Sequence, residues 1–259
     1  MKIVVCIKQV PSTNEVRLDP VTNTIMRDGR QSVTNPFDTY AIEQAVQIKE
    51  ELGGEVIALS MGIPATERLL RDAASRGVDS AMLLSDRSFA GADTLATAYT
   101  LSLGIRRFHD IDLILCGKMA VDGDTAQIGP ELAENLGIPH ITDVSEFISV
   151  SSKDIVCKKI TDTGHQVLRV KLPALLTVVK DINMPRLPSI PGIIFGLTAP
   201  FELRDAEALK ADPKRIGLSG SPTQVVKTYV PQRQSEAQQI EGDAKIQADS
   251  IVKLIKEVQ

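Results

Sequence analysis

The residues whose types and spacing could do chemistry lie in four short segments, none of which pairs a nucleophile with a base. The strongest is residues 117–130, GKMAVDGDTAQIGP. Asp122, Gly123, Asp124 and Thr125 form a turn that can deliver a helix N-terminus. Free backbone N–H groups there make an anion site, and Gly123 lets a phosphate approach the main chain. Thr125 adds a hydroxyl and Gln127 an amide. An ordinary βα turn with Asp124 as N-cap answers to the same residues, and Asp122 with Asp124 would also suit a cation or an acid–base pair. The second segment, residues 86–97 (DRSFAGADTLAT), again places small residues where a helix opens. Asp93 is its N-cap, and Thr94 and Thr97, spaced i, i+3, share one face. A plain capped helix with two surface threonines is the alternative. The third, NPFD at residues 35–38, is a sound helix start with Asn35 as N-cap and Pro36 at the first helical position. The fourth, GSPTQV at residues 220–225, is a polar turn with no mechanism visible by itself. Cys6 and Cys116 end apolar runs and read as buried packers. His140 follows Pro139 and reads as a surface loop residue. A bound cofactor would therefore have to carry any chemistry.

Composition narrows the classes further. The 259 residues carry 29 basic and 33 acidic side chains, for a net charge of −4. A nucleic-acid module usually carries a basic stripe, and the 3% aromatic content supplies little for stacking on bases. Three cysteines make no disulfide framework and point to a reducing cytoplasm. No apolar run approaches the ~20 residues of a membrane span. The opening MKIVVCIKQVP reads as a first strand rather than a signal peptide.

The elements that must position these segments are legible as alternating apolar runs and helical patterns. Strands are expected at residues 2–7, 55–60, 80–85 and 111–116, and helices at 39–52, 65–76, 93–108 and 125–136. Such alternation predicts βαβ units and a doubly wound, mostly parallel α/β sheet of the adenine-nucleotide-binding type. Ligands bind such sheets beyond the carboxyl ends of the strands, near the switch in strand order. After about residue 145 the texture changes. Residues 146–159 and 166–172 alternate like a small antiparallel excursion, with a turn at 162–164, and 174–180 reads as one more buried strand. Residues 184–200 (MPRLPSIPGIIFGLTAP) read as a Pro- and Gly-broken loop with exposed Ile190, Ile193, Ile194 and Phe195. A polar linker over 231–242 leads to an amphipathic helix carrying Ile246, Ile251, Leu254, Ile255 and Val258, a face that must be buried on something. Two parts are expected: an α/β nucleotide-binding domain over 1–228 and an extended C-terminal arm over 229–259.

Taken together, the segments resemble the β subunit of an electron transfer flavoprotein. The residues that carry the resemblance are VCIKQVP (5–11), VTNPFDTYAIEQA (33–45), VIALSMG (56–62), DLILCGKMAVDGDTAQIGP (112–130) and LPALLTVVKDINMPR (172–186). The resemblance implies an α/β domain whose arm docks on an α subunit, with oxidoreductase activity only in a complex. It implies a nucleotide site built from Cys6, Asn35, Phe37, Asp38, Met61, Ala120, Val121, Asp122, Gly123, Asp124, Thr125, Ala126 and Gln127, with phosphates near 123–127. Members hold AMP there or, in the bifurcating type, a second FAD. GADTLAT and VDGDTAQ resemble the FAD-holding type, which adds Asp93, Thr94 and Thr97 to the site. The implied reaction takes hydride from NADH, sending one electron to ferredoxin or flavodoxin and the other toward a dehydrogenase through the α-subunit FAD. Residues 184–200 match the family's partner-recognition loop, with Ile190 at the anchor position and Ile193 beside it. The lysine run that follows in many relatives is absent, so the resemblance implies a flavin dehydrogenase acting on a hydroxy acid rather than an acyl-CoA.

Overall fold

A computed structural model describes residues 1–12, 32–226 and 239–258. Its centre is a strand buried on both faces. In β1 (Lys2–Cys6), the side chains of Ile3 and Val5 enter one apolar core and those of Val4 and Cys6 enter another. Successive strand residues point to opposite faces, so a run that is apolar at every position can only be covered by helices on both sides. Each fully buried Val, Leu or Ile contributes about 1.5–3 kcal/mol relative to exposure.

The chain then winds in one direction and reverses. From β1 it passes through α1 (Pro36–Leu52) to β4 (Glu55–Met61), then through α2 (Glu67–Ser75) to β5 (Ser80–Leu84). Helix α3 (Thr94–Ile105) carries it back past β1 to β6 (Leu113–Gly117), and α4 (Ile128–Leu136) leads on to β7 (His140–Val150). The strands β8 (Asp154–Thr161), β9 (Gly164–Lys171), β10 (Ala174–Val178) and β11 (Phe201–Arg204) complete a nine-stranded sheet of order β11-β5-β4-β1-β6-β10-β7-β8-β9. All neighbours are parallel except β7–β8 and β8–β9. Strand β1 pairs with β4 on one side and β6 on the other, so the switch in strand order falls between β1 and β6. A separate two-stranded ribbon joins β2 (Gln9–Pro11) to β3 (Ser32–Thr34).

The doubly wound parallel architecture is as expected, with several local corrections. Residues 146–159 are not one strand. β7 ends at Val150, a turn held by the Ser151 hydroxyl and Asp154 reverses the chain, and β8 begins at Asp154. His140 is exposed, but it opens a strand parallel to β10 rather than lying in a loop. Residues 190–198 form α5 (Ile190–Thr198), because Ser189 caps it by accepting the Gly192 N–H and Pro191 fits its first turn. Strand β11 was not foreseen. The last described element is α6 (Ala244–Val258). The chain divides into two compact units, Met1–Val225 and Val226–Gln259, and most of the expected linker at 231–242 lies outside the described residues. No helix among the described residues is long and apolar enough to cross a membrane.

Candidate functional site

The carboxyl ends of β1 and β6 are tied together by the first turn of α1. Asp38 is buried, and its Oδ2 accepts the Lys8 N–H at 2.7 Å while its Oδ1 accepts the Asn35 amide at 3.0 Å. The Gly117 N–H donates to the same carboxyl. One side chain thus bridges the two strands that flank the switch point. Asn35 is the residue before α1, but its side chain caps nothing. Its amide also donates to the Met119 carbonyl at 2.8 Å, and its carbonyl accepts the Val121 N–H at 3.2 Å. NPFD is therefore more than a helix start: it fixes the chain leaving β6.

Burial pushes the Asp38 carboxyl up to about 7, against the opposing pull of the Asn35 amide, the Lys8 and Gly117 N–H groups and the Lys8 charge. Its ordinary value is 3.8. A carboxyl raised on folding contributes stability that is fully present below about 3.8 and lost as pH rises through about 7. Asp38→Asn is expected to remove that part of the pH dependence, about 4 kcal/mol at most. Thermal unfolding of wild type and variant at about pH 5 and pH 8 checks this; parallel pH profiles would refute it.

The loop beyond β6 is exposed and conformationally unusual. Lys8 reaches across to it, with Nζ 2.6 Å from Asp122 Oδ1. Asp124 and Ala126 hold φ of 52° and 54°, a region favourable to glycine. A Cβ added at Gly123 would meet nothing within 4 Å, so the main chain there is open to a ligand. The turn does not run directly into the helix, however. α4 begins at Ile128 with Gln127 at the N-cap position, so Asp124 is not its N-cap. The positive φ at Asp124 and Ala126 interrupts the helical backbone and delays the start. Asp122 is committed to Lys8, and no group of acids, cysteines or histidines that could hold a metal ion occurs among the described residues.

The second segment converges on the same edge. Asp93 caps α3, its Oδ1 accepting the Ala96 N–H at 3.1 Å. Its Oδ2 accepts the N–H and hydroxyl of Thr223 at 3.1 and 2.9 Å. Burial, which would raise the Asp93 carboxyl, is outweighed by these hydrogen bonds, and it sits below its usual range. Thr94 Oγ1 lies 3.4 Å from Gln127 Oε1 and 3.0 Å from Glu131 Oε1, linking the first turns of α3 and α4. Thr97 is half-buried one turn further along α3. Two helix N-termini therefore meet at the strand ends, a shape that suits a ligand with more than one phosphate. Cys6 and Cys116, opposite each other in register on β1 and β6, are buried below, and Met61 ends β4 on the same side of the sheet.

An α/β sheet with its crevice at this switch point fits many nucleotide-binding proteins, and comparison with known proteins narrows the choice. Residues 22–209 match the electron transfer flavoprotein domain. The chain belongs to the electron transfer flavoprotein β-subunit family. It is 44% identical to an electron transfer flavoprotein subunit beta of Thermoanaerobacterium thermosaccharolyticum, over 97% of this chain and 96% of that one. It is 43% identical to the caffeyl-CoA reductase–Etf complex subunit CarD of Acetobacterium woodii, over 99% and 98%. Protein FixA of Azotobacter vinelandii is 41% identical, over 91% and 86%.

Four residues brought to this crevice by the fold are missing from the reading of the sequence. Lys8 stands in a strand-end loop, and only the fold brings it to Asp122. Ser221 and Thr223 belong to the polar turn at 220–225, which had no visible role; Ser221 Oγ accepts the Asp93 N–H at 2.8 Å. Glu131 could have been found, because it stands i+4 from Gln127 on one helical face. Of the residues expected to meet a partner, Ile190 is 77% and Ile193 49% exposed. They sit on a helix rather than a loop, and that helix is seated on α2 through Gly192 and Gly196: a Cβ at either would strike the main-chain carbonyl of Ser75 or Arg71.

Proposed function

We propose that this chain, with its α subunit, passes electrons from NADH by flavin-based bifurcation to ferredoxin or flavodoxin and to a partner flavin dehydrogenase. The observation that carries the reading is the link from Thr94 to Gln127 and Glu131, which joins two helix N-termini at one crevice; two such termini suit the pyrophosphate of FAD better than the single phosphate of AMP. In this reading Asp93 and Thr223 fix the start of α3, Thr94 and Thr97 meet one phosphate, and residues 123–127 meet the other. Asn35, Phe37 and Asp38, with Cys6 and Met61, shape the adenine end. The open main chain at Gly123 is consistent with a ligand there. When bound, FAD supplies hydride acceptance and release of single electrons; the protein supplies position and field.

The arm over 229–259 docks on the α subunit, placing the stripe of Ile246, Ile251, Leu254 and Ile255 against it. The dehydrogenase meets α5 through Ile190 and Ile193. A hydroxy acid substrate is favoured by the missing lysine run, whereas the likeness to a caffeyl-CoA reductase complex subunit favours a CoA ester.

The test is the nucleotide content of the heterodimer, released by denaturation and separated by chromatography. Two FAD per heterodimer are expected, followed by NADH-driven ferredoxin reduction. One FAD with one AMP would overturn bifurcation and leave a β subunit that holds AMP as structure while the complex shuttles electrons from a dehydrogenase.

A further inference from the structure

Glu131 is poorly suited to an anion site as it stands. Its Oε1 accepts a hydrogen bond from the Thr94 hydroxyl at 3.0 Å, and its Oε2 is excluded from solvent without a hydrogen-bond partner. A threonine has a single O–H. While an ionised Glu131 holds that hydrogen, Thr94 can offer a phosphate oxygen only lone pairs, and two acceptors repel. The carboxylate would add its own charge to the repulsion.

The surroundings offer Glu131 no compensation. The charged group that bears on it from α3 is Asp93, of the same sign. On its own helix Gln127 and Asn135 are neutral, and the Asn135 amide donates to the Glu131 backbone carbonyl rather than to its side chain. Arg215, from the segment beyond β11, is spent on the Tyr99 ring and on Asn135. No ion pair to Glu131 forms among the described residues. Burial holds its carboxyl above the usual range; the Thr94 hydroxyl pulls it down, and the Asp93 charge adds to the rise.

Resting on the nucleotide reading above, we propose that Glu131 takes up a proton from solvent as the phosphates of a nucleotide settle at the α3 and α4 N-termini. The neutral carboxyl then donates to Thr94 Oγ1, and the freed Thr94 hydroxyl turns to donate to phosphate. No bond other than those to the proton changes. Glu131 is thus a positioning residue: it sets whether Thr94 faces the ligand as donor or acceptor. Because binding consumes a proton, affinity falls as pH rises above the Glu131 pKa of the free site, by up to about tenfold per pH unit.

The test uses the heterodimer with its α subunit, stripped of nucleotide and titrated calorimetrically with FAD, whose pyrophosphate does not titrate near neutrality. Buffers of different ionisation enthalpy report protons taken up. Wild type is expected to take up close to one proton more than Glu131→Gln at about pH 7.5, and the variant's affinity is expected to fall less steeply than that of wild type from about pH 6 to pH 9, since any contribution of the Asp38 carboxyl is common to both. Glu131→Ala makes the same comparison if the amide variant fails to assemble. Binding at this subunit with equal proton uptake in wild type and variant overturns the inference and leaves the nucleotide reading standing. Failure of the subunit to bind FAD overturns both.

Discussion

Gly117→Ala is expected to empty the nucleotide crevice and destabilise the domain with a single methyl group. Gly117 ends β6, and the first turn of α1 lies directly on it. A Cβ there would run into the Asp38 carboxylate and within 2.7 Å of the Phe37 carbonyl carbon. A flexible side chain could yield; the backbone of α1 cannot, because Pro36 opens the helix and Asn35 is held by the Lys8 carbonyl at 2.8 Å. The helix start must therefore lift, and Asp38 loses its bonds to the Lys8 and Gly117 N–H groups. Each buried group left without a partner costs about 1–3 kcal/mol, so the two orphaned N–H groups cost roughly 2–6 kcal/mol. At ~2–4 °C per kcal/mol for a domain of this size, unfolding should begin roughly 4–24 °C lower. Released nucleotide in the purified heterodimer should fall to near zero for this subunit. Gly123→Ala is the contrast: its Cβ meets open space, so the fold should be untouched and only nucleotide affinity reduced. A Gly117→Ala heterodimer with wild-type melting and nucleotide content would show that α1 does not depend on this contact.

The contrast between these two glycines indicates what the sequence could and could not disclose. Apolar runs such as KIVVC at β1 and LILCG at β6 have one physical solution, burial on both faces, and so the parallel sheet and its crevice are legible from spacing. Asp93 capping α3 is legible too, because a cap acts within three residues of itself. What spans the fold is not. Lys8 meets Asp122 across 114 residues and Asp93 meets Thr223 across 130, and no local pattern encodes either. The expected start of α4 at residue 125 falls three residues early, because helix propensity says nothing of the positive φ that Asp124 and Ala126 hold. Helix α5 looks like a loop in the sequence for a related reason. The four prolines and two glycines of residues 184–200 look like breakers in isolation, yet Pro191 suits a first turn, and Gly192 and Gly196 are the residues that let the helix lie close on α2.

That seating makes the apolar surface of α5 a rigid feature, and Ile190→Ala is expected to cut electron transfer to the partner dehydrogenase by about 30-fold. The helix turns its glycines to the domain, where Arg71 also donates to the Gly196 and Leu197 carbonyls at 3.2 and 3.0 Å. Ahead of it, Arg186 pairs with Glu43 at 2.9 Å and with Glu50 at 2.6 Å, pinning the approach to α1. What faces outward is apolar on a fixed backbone: Met184, Leu187, Ile190, Ile194 and Leu197 are all more than 60% exposed. Exposed apolar side chains grouped on one segment suit a docking site, and an anchor residue in such a site is worth about 2 kcal/mol or more. Because Ile190 is 77% exposed, its truncation should leave thermal unfolding and nucleotide content as in wild type. Gly196→Ala behaves differently, since its Cβ lies 2.6 Å from the Arg71 carbonyl oxygen and the whole helix must shift; coupling and stability should fall together. Steady-state reduction of each candidate dehydrogenase by the heterodimer separates the cases. Unchanged coupling to all of them in Ile190→Ala would show that the partner docks elsewhere, and would leave the exposed face of α5 to some other surface of the complex.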